Sequence, residues 1–171
     1  MGILDDLLLR VQDVAGGITT GTLIGGVMQN HPVDIMELQR EQLLCGKSSS
    51  GEDIRPFYSE DVKPHGYFNS VESAKRYANW KSGLSYPSFR GERRNSDAPN
   101  LYINGKFHNE LGVRFSLMSV EVVPETSYAA TIVAKYGIRT FGLTMDRWTR
   151  IFEEYGAYNE LMNEIKSILY I

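Results

Sequence analysis

Apolar residues recur three and four apart along most of this chain, but between residues 112 and 123 the period drops to two. Val113, Phe115 and Leu117 alternate with Arg114 and Ser116, and Val120 and Val122 flank Glu121, as half-buried strands require. The parity changes between Leu117 and Val120, which places a two-residue reversal at Met118-Ser119. After Pro124 the helical period returns. Tyr128, Ala129, Ile132, Val133 and Tyr136 share one face, and Gly137 suits the left-handed position that ends a helix. Further helices are expected at roughly 32–45, 70–82 and 144–170. The second of these opens at Asn69 or Ser70 as cap and turns Val71, Ala74, Tyr77 and Ala78 inward. In the last, Trp148, Ile151, Phe152 and Tyr155 form a core stripe. Gly156 breaks the helix, and Tyr158, Leu161, Met162, Ile165, Ile168 and Leu169 give the last helix its own stripe. The expected fold class is α+β, a small antiparallel hairpin packed by helices.

The first thirty residues read differently. Leu4, Leu7, Leu8, Val11, Val14 and Ala15 make an apolar stripe that Gly16-Gly17 should end. Residues 16–30 are rich in Gly and Thr and low in charge, so a stable helix is not expected there. Helix 3–15 on this tether reads as an N-terminal arm, 1–30, beside a single α+β domain, 31–171. Its stripe, with Leu4, Leu7, Leu8 and Val11, is the candidate contact with a neighbouring subunit. A membrane-surface helix fits less well, because the polar face carries Asp5, Asp6 and Asp13 against Arg10. A second candidate contact lies in the low-order stretch 83–100, where Arg90, Arg93 and Arg94 cluster. Long loops of this kind are often functional. These arginines suit acidic side chains of a partner or, in a channel, DNA phosphate.

Composition narrows the classes. A net charge of −3 argues against a general nucleic-acid binder, whose footprint is basic. The single Cys45 excludes an internal disulfide, and no stretch approaches the roughly 20 apolar residues of a membrane span. The start, MGILDD, lacks the basic region of a secretory signal, so a cytosolic setting is expected.

The search for chemistry nominates no catalytic residue, cofactor or metal. His31, His65 and His108 have no partners at metal-ligand spacing. GKSSSGED has the glycine spacing of a phosphate-binding loop, but Glu52 and Asp53 stand where Lys and Ser or Thr belong, and two carboxylates repel phosphate. Cys45, after two leucines, reads as a buried small hydrophobe. His108 and Glu110 are the nearest thing to an acid–base pair.

The order of motifs carries one resemblance. A Gln-rich helix ends in QREQLLCGKSSSGEDI and runs into YSEDVKP; LYINGKFHNEL and a hairpin follow, then SYAATIVAKYGIRTFGLTMDRWTRIF. Across roughly residues 36–155 this resembles the small virion-assembly proteins of tailed phages, particularly those of crAss-like and other Bacteroidetes phages. These are head–tail connector, neck and tail-completion proteins. Asn104 stands where many relatives have threonine. The resemblance implies a structural, non-catalytic protein that forms a homo-oligomeric ring of roughly twelve, or alternatively six, copies. It would lie at the head–tail junction of the virion, against portal, neck or tail proteins, after assembly in the host cytoplasm. A tail terminator is the near alternative, and a small enzyme or DNA-binding regulator the distant one.

Overall fold

The computed structural model describes residues 3–84, 94–116 and 119–170. Within them the chain is α+β, with eight α-helices and one two-stranded sheet. The helices are α1 (Ile3–Thr19), α2 (Thr22–Met28), α3 (Pro32–Leu44), α4 (Val71–Ser82), α5 (Lys106–Asn109), α6 (Ala129–Tyr136), α7 (Met145–Glu153) and α8 (Ala157–Leu169). Strands β1 (Leu111–Phe115) and β2 (Val120–Pro124) pair with each other. Contacts divide the chain into two units, one of residues 1–35, 113–121 and 145–171, the other of 36–112 and 122–144.

In the first unit the N-terminal segment departs from expectation. Gly16-Gly17 do not end the first helix; α1 continues to Thr19, and together with α2 it makes most of the stretch 16–30 helical. Packing overrides propensity here. Helices α1 and α2 pack on each other and both pack on α8, with Val27 and Met28 buried. Gly21 adopts φ 75° at the reversal between them. A Cβ on Gly17 would come within 2.7 Å of the Leu23 side chain, so the glycine serves close approach at this corner. Residues 1–30, read as a separate arm, thus belong to a packed helical unit. Their apolar stripe is nevertheless uncovered: Leu4 is 80% and Leu8 58% exposed, and Leu7 and Val11 are exposed too. Of the expected core stripe Ile151 is fully buried, whereas Trp148, Phe152 and Tyr155 are only half-buried and Tyr158, early in α8, is exposed; the buried neighbour of Ile151 in α7 is Arg147.

The hairpin keeps the expected alternation, with Val113 and Phe115 half-buried and Arg114 exposed. Of the expected reversal, Met118-Ser119, the structure describes Ser119. Ser119 is not part of the turn: its carbonyl accepts from the Ser116 amide at 2.9 Å and its own amide donates to Ser116 Oγ at 3.0 Å. Met118 lies outside the described residues.

The second unit is organised on α3 from Met36 onward. Leu38, Gln39, Gln42, Leu43, Leu44 and Cys45 are all buried, as the reading of Cys45 required. The two glutamines hold the chain at 142–144. Gly142 N–H donates to Gln39 Oε1 at 2.8 Å, Gln42 Nε2 donates to Gly142 O at 2.8 Å, and Thr144 N–H donates to Gln42 Oε1 at 2.9 Å. The loop 46–53 is stitched internally rather than open to phosphate. Ser48 N–H donates to Glu52 O at 2.8 Å, and Lys47 pairs with Asp53 at 2.9 Å. Ser70 caps α4 with a reciprocal bond to Ser73. The buried face of α4 is Ala74, Ala78 and Lys81; Val71, expected inside, is exposed at the helix's first position. Ala74 and Ala78 pack with Tyr58 and Phe68, whose rings meet edge-on at 6.2 Å.

Candidate functional site: an aromatic cleft over a buried lysine

A lysine at the third position of a buried helical face is the anomaly on which this site is built. Ala74, Ala78 and Lys81 are spaced four and three apart, so α4 sends all three side chains the same way. The two alanines are small and let the aromatic cluster approach. Lys81 reaches past them and is 2% exposed. Its Nζ lies 5.9 Å from the ring centroids of both Tyr58 and Tyr77, within the outer range of a cation–π contact. Desolvation, and secondarily the Arg94 guanidinium, pull its pKa down from 10.5 to about 7.

Lys81 lines a cleft of about 320 Å³. Tyr58, Tyr77 and Tyr136 line it too, as do Ile103 and Tyr128, both of which are exposed. Two hydroxyls are affected by this enclosure. Burial, reinforced by Tyr77, pushes Tyr58 upward, and burial with the nearby Asp61 carboxylate pushes Tyr136 up to about 12. Both tyrosines are therefore neutral hydrogen-bonding groups at neutral pH. Asp61 is buried and ion-paired with Lys135, and it accepts the Tyr67 amide at 3.1 Å. Leu101, in the cleft wall, holds φ 53°, a left-handed conformation that bulky residues rarely adopt.

His108 is buried next in sequence to Phe107 of the cleft lining. Its Nε2 is 2.9 Å from the Asn100 carbonyl, which fixes the proton on that nitrogen. Burial drives its pKa down to about 4 against the opposing bond to Asn100; the Lys81 and Arg40 charges lower it further. The neutral ring is a structural donor. Glu110 does not join it but sits 3.8 Å from Lys106. A second histidine, His31, lies in the first unit between two carboxylates, 2.8 Å from Asp34 and 3.4 Å from Glu160. Asn30 Nδ2 donates to the same Glu160 at 2.9 Å. This cluster ties the start of α3 to the start of α8. Among the described residues no group of three His, Cys, Asp or Glu is placed to hold a metal ion.

The contact residues read from sequence fall elsewhere. Leu4, Leu7, Leu8 and Val11 form the exposed face of α1. Arg90 and Arg93 lie outside the described residues. Arg94 does not project outward: it is half-buried and its Nη2 donates to the Ala98 carbonyl at 3.3 Å. Sequence reading missed Lys81 because a lysine near a helix end ordinarily reads as solvated. The signal available was its spacing from Ala74 and Ala78. Among the described residues, no helix is long and apolar enough to cross a membrane. No family model, no curated protein and no solved structure matches the chain.

Proposed function

We propose that this is a structural virion protein of a tailed bacteriophage. Copies of it assemble into a closed ring in the head–tail connector, between portal and tail, and the protein performs no chemical step. The observation that supports this reading best is the uncovered stripe of α1. Leu4, Leu7, Leu8 and Val11 are presented on one 17-residue helix whose other contacts, with α2 and α8, hold it in place. Removing such side chains from water is favourable by about 25 cal/mol per Å², and a ring repeats the same contact at every subunit. Weak contacts repeated in this way give strong assembly through avidity. The resemblance of the motif order across 36–155 to small phage assembly proteins supports the same reading, in the glutamine-rich helix and the FGLT phrase. Here Gln39 and Gln42 join these two stretches by three hydrogen bonds.

Mass photometry of the purified protein, with cryo-electron microscopy of particles, tests the proposal. A ring in solution, located at the portal, is the expected result. The double variant Leu4→Asp/Leu8→Asp should stay folded by circular dichroism and lose the ring. A location at the far end of the tail would instead favour a tail terminator. A wild-type chain that is monomeric at every concentration and missing from particles would overturn the reading.

A further inference from the structure

Leu4, Leu7, Leu8, Leu9, Val11 and Ile18 are all exposed on α1, an apolar surface that runs about 21 Å along the helix axis. Charge argues against a second α1 as its cover. Among the described residues the first unit, which contains α1, carries ten Asp and Glu against five Lys and Arg; the second unit carries ten against eleven. The helix itself adds Asp5, Asp6 and Asp13 against Arg10. Pairing α1 with α1 sets two acidic units against each other, and pairing α1 with the second unit does not. Symmetry favours the same choice. A surface that meets itself closes as a two-fold pair, whereas a ring of more copies grows from two different, complementary surfaces. The second unit offers an apolar surface of the matching kind. Its cleft of about 320 Å³ is lined by Leu101, Phe107 and Ile132, and Ile103 and Tyr128 of the same lining are exposed. A helix is too wide for that volume, but branched side chains projecting from a helix are not. Leu4 and Leu8 lie on one side of α1, about 6 Å apart along its axis, so both can reach one pocket.

We propose, on the premise that the chain assembles into a ring, that the aromatic cleft of the second unit receives α1 of a neighbouring copy. Leu4 and Leu8 insert against Phe107 and Ile132, and Ile103 and Tyr128 pack along Leu7 and Val11. Each copy then gives one helix and takes one, the head-to-tail contact from which a closed ring is built.

Cysteine cross-linking and sedimentation of the full chain test this. Leu8→Cys and Ile103→Cys are made in separate chains, mixed and treated with a short bismaleimide; the native Cys45 is buried and stays unreactive. The mixture should give a cross-linked pair joined through positions 8 and 103, and Leu8→Cys alone should give none. Ile132→Trp, which fills the cleft, and Ile103→Asp, at an exposed position, should each weaken self-association at least tenfold while circular dichroism is unchanged. Ile103→Asp keeps the test decisive if Ile132→Trp fails to fold. Cross-linking of Leu8→Cys with itself would show α1 pairing with α1 and overturn the proposal. Assembly of Ile103→Asp equal to the wild type, with Leu4→Asp/Leu8→Asp inactive, would overturn it and leave the ring intact. A wild-type chain that is monomeric at every concentration would overturn both.

Discussion

The side-chain amide of Gln42 replaces a neighbouring strand for Gly142, donating to its carbonyl at 2.8 Å while accepting the Thr144 amide at 2.9 Å. Gln42 is fully buried on α3, so this pair of bonds is made out of reach of water. Gln42→Met keeps the volume and removes both partners. Buried backbone groups that lose their partner bear their whole desolvation cost. The expected loss is about 2–4 kcal/mol, measured by urea unfolding with an unchanged slope.

Gly66 has no room for a side chain. A Cβ there would lie 2.1 Å from the Asp61 carbonyl carbon and 2.2 Å from the Val62 nitrogen, and backbone cannot move aside as a flexible side chain can. Gly66→Ala should therefore cost about 2 kcal/mol or more. Gly17→Ala meets only the Leu23 side chain and should cost less. Parallel thermal unfolding of the two variants checks the order.

His108 makes the fold acid-sensitive. In the unfolded chain it titrates near 6.5 and in the folded protein near 4. Between these values the unfolded state binds the extra proton, so stability falls as pH drops through that window, by about 3 kcal/mol in all. His108→Gln, which retains a donor for the Asn100 carbonyl, should flatten the profile between pH 6.5 and 4.

Lys81 acts in the alkaline range. The unfolded lysine keeps its proton up to 10.5, whereas the folded one releases it near 7, so the stability contributed by this group rises with pH from about 7. Tyr136, raised from 10.0 to about 12, opposes the rise above pH 10, which leaves pH 7 to 10 as the window to measure. Lys81→Met should lose the slope between pH 7 and 10, read by urea unfolding across that range.

The N-terminal segment should respond to mutation in two ways. Val27→Ala or Met28→Ala opens the buried contact within the first unit and should cost about 1–4 kcal/mol. Leu4→Ser or Leu8→Ser, at exposed positions, should change monomer stability by no more than about 0.5 kcal/mol. Deleting residues 1–30 is therefore expected to destabilise α8 rather than to release an intact body.

The sequence by itself determined the elements whose signal is local. The alternation at 113–115 and 120–122, the Ser70 cap, the glycine ends at 137 and 156 and the apolar stripe of α1 each depend on residues within a turn or two, and each is found in place. Tertiary structure decided what depends on distant partners. Residues 16–28 are helical because α8 and the close approach of Leu23 to Gly17 outweigh the poor propensity of their glycines. Val71 lies outside, at the first position of α4, and Lys81 inside, on the face shared with Ala74 and Ala78. The glutamines of α3 are polar, yet they are core residues because the chain 100 positions later presents backbone groups that they pair. Periodicity reports which side of an element is apolar. It does not report which polar group will find a buried partner, because that partner is brought in only when the chain closes on itself.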